Sequence, residues 1–395
     1  MKIILIGGMF PPMQTGTAFY MLNLARKLQQ YGHHVEIITL GEKGGNEQEY
    51  GLTVHRLPAF RLPMKGFFKH FQIASFYPGN WSKIHRIVRH SGAEVILLVN
   101  HYLDIAFPAI LAARRERIPL VCSIGTQLQS LNPRRNKILN LLDRMIVGSF
   151  VLPFCDRIIA WDMQIRQYLL DVQGAKTDRK IDIVNYGVNG EPERLLAHRH
   201  DYTRTEYIIC VGAVSEQRSF VPLVRAFALL TSRYPHLKLR IIGHVYYDAA
   251  IRLAADLGVA ERVEFPGEMP HDQVLTALGG ATLFYSSLTG QYVGMGTATI
   301  EAMLLGVPAV VNTPLDLFGT HILGDYQHVV QSINNDPVAI AARIADLLQN
   351  AALRERVGTG GRYFVANYLN WDLVACDIVE VLSKAAKKSD AATKT

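Results

Sequence analysis

Short runs of β-branched and apolar residues alternate with amphipathic helical stretches along almost the whole chain, and that order admits few folds. Residues 3–6 read as a strand, 18–31 as a helix with apolar positions at helical spacing, and 35–40 as the next strand. A strand over 94–99, a helix over 107–117 and strands over 120–123, 157–160 and 181–184 continue the series. A polar stretch from 189 to 206, containing Glu191, Glu193, His198, His200 and Asp201, breaks the pattern and reads as a linker. The alternation then restarts. Strands are expected over 207–211, 237–242, 263–265, 281–285 and 309–311, with helices over 221–234, 249–257, 272–278 and 297–305. Strand–helix–strand repetition predicts a parallel sheet with helices on both faces, so the expected class is α/β with two consecutive Rossmann-like halves.

A chain of 395 residues is long enough for two such cores, because single cores rarely grow past ~250–300 residues. Hydrophobic residues make up 49% and charged residues 19%, which argues for packed cores and against disorder. Cys122, Cys155, Cys210 and Cys376 are far apart and sit among apolar neighbours, so reduced, buried cysteines are expected rather than a disulfide or zinc framework. The opening Met1-Lys2-Ile3-Ile4-Leu5-Ile6 ends at Gly7-Gly8, too soon for a signal peptide, and reads as a first buried strand. No apolar run reaches the ~18–20 residues needed to span a bilayer; residues 138–154 come closest and are interrupted by Asn140, Asp143 and Arg144. A cytoplasmic protein is expected, peripheral on the inner face of the membrane if its basic stretch binds lipid.

The formal charge of +7 is unevenly placed. No acid occurs between Glu49 and Glu94, whereas Arg56, Arg61, Lys65, Lys69, Lys83, Arg86 and Arg89 fall there, interleaved with Phe60, Phe67, Phe68, Phe71, Phe76, Tyr77 and Trp81. Two readings stay open: a solvated basic face over an ordinary core, or contact with an anionic membrane surface. Nucleic acid is disfavoured because no recognised binding module accompanies the charge.

In open parallel sheets, ligands bind beyond the carboxyl ends of the strands, where loops enter helix N-termini. The loop Gly7 to Thr17 fits that rule weakly, since a plain strand-to-helix connection can also be rich in Gly and Pro. The segment after Ser286-Ser287 fits better. There Gly294-Met295-Gly296-Thr297 opens a helix that carries Glu301 one turn in, sharing the face of Thr297. Glycines allow close backbone approach, free amides and the helix dipole attract phosphate, and a carboxylate on that face can accept hydrogen bonds from ribose hydroxyls.

Over nearly its whole length the chain resembles the family-four glycosyltransferases. The resemblance rests on Pro11-Pro12-x-x-Thr15-Gly16, Gly32-His33-His34-Val35, Cys155 to Ala160 and Asn185-Tyr186-Gly187-Val188-Asn189 in the first half. In the second half it rests on Val211-Gly212 through Arg218, Ile241-Ile242-Gly243, Val263 to Gly267, and Glu301-Ala302-Met303 with Gly306-Val307-Pro308. It implies the GT-B fold, two facing Rossmann-like domains with a deep interdomain cleft. The N-terminal, acceptor-side domain would cover 1–190, a linker 191–206 and the nucleotide-sugar-binding domain 207–370. A closing helix, 371–386 with Asn370-Trp371 at its start, would cross back to the first domain, leaving a frayed tail over 387–395.

The same resemblance implies retaining transfer from a UDP- or GDP-sugar to a polysaccharide, lipid-linked glycan or small-molecule acceptor. Glu301 would hold the donor ribose; the amides of Gly294, Met295, Gly296 and Thr297, with Arg218, would hold the diphosphate. Glu268 and Met269 would meet the nucleobase through backbone groups, Gly212 and Gly243 would line the nucleotide site, and Gly16 would approach the donor from the opposite domain. Arg218 and Glu301 are the residues expected to carry catalysis, with the leaving diphosphate helping to deprotonate the acceptor. No metal is expected, because no Asp-x-Asp and no His/Cys/Asp cluster with ligand spacing occurs.

Three positions depart from the family pattern. Val293 stands where a second carboxylate is usual, Ala213 where an arginine is usual, and Ile124 where a histidine is common. The nucleotide half of the site is thus mostly present and the sugar half altered, which points to a less polar donor sugar or to Gln291 or Thr289 standing in. The competing functions are a catalytically silent nucleotide-binding or stabilising partner and, less favoured, a UDP-sugar epimerase or phosphorylase.

Overall fold

The computed structural model describes residues 1–13, 15–41, 45–61, 72–100, 104–127, 132–188, 195, 198–215, 218, 220–286, 288, 292, 294–332 and 335–393. The chain divides into two compact units, Met1–Gly187 with Trp371–Thr395 and Val188–Asn370.

The first unit contains strands β1 (Lys2–Gly7), β2 (His34–Gly41), β3 (Gly45–Glu49), β4 (Leu52–Pro58), β5 (Phe60–Arg61), β6 (Gln72–Ile73), β7 (Val95–Val99), β8 (Leu120–Ile124), β9 (Arg157–Ala160) and β10 (Ile181–Ile183). Eight of them form one sheet in the order β10-β9-β8-β7-β1-β2-β4-β3, parallel throughout except at β3. β5 and β6 form a separate antiparallel ribbon. Every residue of β7 and β8 is buried, as expected of strands covered on both faces. The hairpin of β3 and β4 turns at Tyr50-Gly51, both with positive φ (56° and 77°). It escapes sequence reading because a tyrosine occupies a position where asparagine or glycine is the usual signal.

The second unit contains β11 (Tyr207–Val211), β12 (Lys238–Ile242), β13 (Val263–Gly267), β14 (Leu283–Tyr285), β15 (Ala309–Val311) and β16 (Val330–Gln331). They form one all-parallel sheet in the order β13-β12-β11-β14-β15-β16. Its core gathers Ile208, Cys210, Phe227, Leu239, Ile241, Leu283, Val310 and Ile344. In both sheets the chain adds strands on one side, returns to the middle and continues on the other. The switch points lie between β1 and β7 and between β11 and β14, where crevices open at the carboxyl edge.

Two expected boundaries are corrected. The described part of the stretch read as a linker packs into the second unit: His198 Nε2 and His200 Nδ1 each lie within hydrogen-bond distance of the Gly279 carbonyl (3.2 and 3.1 Å). Tyr202 donates to the Gly306 carbonyl (3.0 Å), and the buried Arg354 donates to the Tyr202 carbonyl (2.9 and 2.6 Å). Backbone partners, invisible to composition, recruit this polar segment. Glu191 and Glu193 lie outside the described residues.

The closing helix runs Trp371–Thr393, so residues 387–393 of the segment read as a frayed tail continue it, and residues 394 and 395 lie outside the described residues. Its alanines and lysines are strong helix formers. It packs against the helix Gly16–Gln30 and against β7, β8 and β9. Lys27 Nζ and the Tyr31 hydroxyl both reach Asp372 Oδ1 (2.8 Å each), and Trp371 is buried beside Tyr20 (5.6 Å between rings). No helix among the described residues is long and apolar enough to cross a membrane.

Candidate functional site

The carboxyl edge of the second sheet is built from glycines. Gly212, Gly243 and Gly267 end or follow β11, β12 and β13 with φ of 146°, 145° and 80°. Gly212 N donates to the Ile242 carbonyl and Gly243 N to the Gly267 carbonyl (2.9 Å each), so the three strand ends step down one another. A Cβ on Gly243 would collide with the Gly212 carbonyl, a backbone atom with no room to retreat. Only glycine fits that close approach.

Arg218 belongs to the loop after β11. It closes a tight turn with Ser215, whose carbonyl accepts from Arg218 N (3.0 Å) while Ser215 N donates to the Arg218 carbonyl (3.2 Å). Its guanidinium lies against Gly212, where any Cβ would strike it. The sequence spacing of six residues is thus folded back so that the arginine head covers the end of β11.

On the other side of the switch point, the loop after β14 carries Gly294, Met295 and Gly296 into the helix Thr297–Leu304. The Met295 side chain is buried, and its carbonyl accepts from the Thr299 hydroxyl (2.6 Å). The N-cap is Gly296 at φ 76°, and among the described residues no side-chain cap bond is made at this start. The first amides of the helix therefore remain for an anion, at the positive end of the dipole. Asn312 Nδ2 donates to the Leu288 carbonyl and ties this loop to the end of β15. Ser287, Thr289, Gln291 and Val293 lie outside the described residues. Ala213 is exposed after β11, and Ile124 is buried in β8.

Glu301 is 4% exposed, and its carboxylate Oε1 accepts from His271 Nε2 at 3.0 Å. Burial pushes the Glu301 carboxyl above its ordinary value, and the histidine contact opposes part of that rise. The same hydrogen bond holds the His271 imidazole above its ordinary value against the opposing effect of burial. His271 escaped sequence reading. The available signal was its place at the first position of the helix His271–Gly279, which packs on the Glu301 helix and follows directly from Glu268-Met269-Pro270. Glu268 is exposed at the end of β13, with Oε1 4.0 Å from His244 Nδ1, and Met269 is half-buried.

Arg218, Gly212, Gly243, Glu268, Met269, Gly294 to Thr297 and Glu301 all stand at the carboxyl edge of one sheet or on the helices that leave it. Gly16 belongs to the first unit, exposed at the start of the helix Gly16–Gln30, where the Thr15 hydroxyl accepts from Ala18 N (3.2 Å).

Two family models match the chain in succession, Glycosyltransferase Family 4 over residues 15–191 and Glycosyl transferases group 1 over residues 197–364. The chain belongs to the family-four glycosyltransferases. The GDP-mannose-dependent alpha-(1-6)-phosphatidylinositol monomannoside mannosyltransferase of Mycolicibacterium smegmatis is 24% identical over 209 residues, 51% of this chain and 54% of that relative. The match thus spans about half of either protein. The phosphatidyl-myo-inositol mannosyltransferase of Mycobacterium leprae is 24% identical over 377 residues, 94% of this chain and 93% of the relative. Among solved structures, Anabaena HepE in complex with UDP and glucose matches with a TM-score of 0.73 at 13% identity, over 97% of this chain and 100% of that one. At that identity the likeness carries the fold alone, and this glycosyltransferase is of the GT-B fold class, with two Rossmann-like units.

The His271–Glu301 contact has a measurable sign. Because the folded imidazole holds its proton more tightly than the unfolded one, the stabilisation that the histidine contributes is complete below the ordinary imidazole pKa and fades as pH rises through the folded value. Glu301→Gln should lower the His271 pKa, read by nuclear magnetic resonance titration of the ring nitrogens. An unchanged titration would contradict the contact.

Proposed function

We propose that this glycosyltransferase moves a sugar, with retention, from a UDP- or GDP-sugar to a polysaccharide, lipid-linked glycan or metabolite acceptor, working at an anionic membrane surface and without a metal ion. The observation that carries the donor reading is the buried carboxylate of Glu301 on a helix whose uncapped start lies at the switch point of the second sheet. A carboxylate can accept from ribose hydroxyls, and the adjoining Gly294–Thr297 amides can hold a diphosphate, one turn away on the same helix face. The relatives from Mycolicibacterium and Mycobacterium are named as mannosyltransferases, and HepE is described with UDP and glucose, which supports a nucleotide-sugar donor.

In this reading the bond between the sugar anomeric carbon and the diphosphate breaks while the acceptor oxygen bonds to the same face of that carbon. The acceptor proton passes to the leaving phosphate oxygen. Charge builds on the diphosphate, and the Arg218 guanidinium and helix amides neutralise it. The chain has no Asp-x-Asp, and no group of three His, Cys, Asp or Glu among the described residues is placed to hold a metal ion. Nucleotide release from a panel of UDP- and GDP-sugars should therefore continue in EDTA. Arg218→Ala should cut turnover about 100-fold, and Glu301→Ala should weaken nucleotide binding by about 1–3 kcal/mol. Activity lost in EDTA and restored by magnesium would overturn the metal-free reading. Tight nucleotide binding without turnover of any donor would favour the silent-partner reading, to which Ala213 and Ile124 lend weight.

The helix Pro133–Phe150 supports the membrane reading. Only Asp143 and Val147 of its side chains are buried; the Asp143 carboxylate accepts from the Tyr168 hydroxyl (2.7 Å) and from Gln173 Nε2 (2.8 Å). Away from that narrow seam, Ile138, Leu141, Leu142, Met145, Ile146 and Phe150 are exposed at helical spacing, with Ile138 at 58% and Phe150 at 60%. Arg134, Arg135, Lys137 and Arg144 are exposed on the same helix, which complements anionic headgroups. Phe76, 79% exposed, and Trp81 add apolar surface from the basic–aromatic stretch, of which Lys65, Phe67, Phe68, Lys69 and Phe71 lie outside the described residues. Each basic side chain near the surface contributes about 1 kcal/mol, screened by salt. Vesicles containing phosphatidylglycerol should sediment the protein at low salt, and Leu142→Ser with Met145→Ser should release it. Equal partitioning to pure phosphatidylcholine vesicles would contradict the reading.

A further inference from the structure

We infer that His271 is a positioning residue for nucleotide recognition, fixing one oxygen of the Glu301 carboxylate so that the other is presented to the ribose hydroxyls. The inference rests on the reading of Glu301 as the ribose acceptor and adds a residue to it. Oε1 of Glu301 takes the His271 hydrogen bond at 3.0 Å. Among the described residues, His271 is the one hydrogen-bond partner that this carboxylate has, so Oε2 is left for a ligand. The two side chains come from different helices, His271 from the start of His271–Gly279 and Glu301 from the second turn of Thr297–Leu304. A glutamate has three rotatable side-chain bonds, and an anchor from a second helix removes that freedom before the nucleotide arrives, which is how a site is pre-organised.

The alternative role for the histidine, serving its own helix, does not fit its position. Pro270 is the N-cap, and no side-chain cap bond is made there. A cation at a helix N-terminus meets the positive end of the dipole, so the imidazolium is unfavourable for its own helix, whereas Glu301 and the neighbouring Asp272 favour it. Glu301 is almost wholly shielded, with its side chain 6% exposed, whereas the His271 side chain is 38% exposed. The histidine thus supplies the buried carboxylate with a donor that still reaches solvent, and it holds its proton above the ordinary imidazole value because of that contact.

The test is ribose discrimination, measured by calorimetry with UDP against 2′,3′-dideoxy-UDP and GDP against 2′,3′-dideoxy-GDP. Wild type should prefer the ribose form of the base it binds by about tenfold, the size of one hydrogen bond to a charged acceptor. His271→Ala should lose most of that preference while the dideoxy affinity stays unchanged. His271→Gln, which keeps a donor at similar reach, should restore most of it. A merely structural histidine would weaken both forms together, and that result would overturn the inference, as would full discrimination in His271→Ala. If His271→Ala fails to fold, His271→Gln must still discriminate as wild type does, and its failure to do so while binding the dideoxy form normally would also overturn it. Loss of discrimination in Glu301→Ala alone would leave the ribose reading standing and remove His271 from it. No discrimination in wild type, or no binding of either UDP or GDP, would overturn the ribose reading and this inference with it.

Discussion

The second unit depends on a close approach of backbones at the carboxyl edge of its sheet. Gly212 and Gly243 touch there, at φ values that L side chains rarely adopt, and any side chain on Gly243 would drive the two strand ends apart. Because those ends stay together, the loop after β11 can fold back and lay the Arg218 guanidinium over Gly212. Across the switch point, the loop after β14 delivers an uncapped helix start. A cation and a row of free amides thus stand at one edge, which is the arrangement that a diphosphate requires.

Glu301 is the costly member of this set. A carboxylate removed from water raises its own pKa and would give up its charge unless a partner offsets the loss. His271 offsets part of that loss from a neighbouring helix. The first unit answers a different demand. Its helix Pro133–Phe150 is fastened by a short polar seam around Asp143 and keeps a broad apolar face uncovered, which is expensive in water and useful only against another apolar phase or partner.

Much of the fold was legible because strand and helix periods differ so clearly in parallel α/β chains. The central strands of both sheets fall within a residue or two of their expected ranges, and Gly294–Thr297 with Glu301 stand, as their spacing implies, at the start of one helix that leaves the carboxyl edge of the second sheet. What sequence hid was determined by partners far along the chain. The β3–β4 hairpin turns on Tyr50 in a left-handed conformation that no tyrosine advertises. The segment at His198–Tyr202 looked like a linker because its binding groups are the carbonyls of Gly279 and Gly306 and the guanidinium of Arg354. His271 was missed because its meaning lies wholly in a carboxylate thirty residues later.

The central claim is that the second sheet's carboxyl edge is a nucleotide site read through Glu301. The most direct measurement is a crystal structure of the protein with UDP or GDP. The account predicts a ribose hydroxyl within hydrogen-bond distance of Glu301 Oε2, with His271 still on Oε1, and the diphosphate on the Gly294–Thr297 amides beside Arg218. A nucleotide bound elsewhere, or one bound there with its ribose turned away from Glu301, would contradict it.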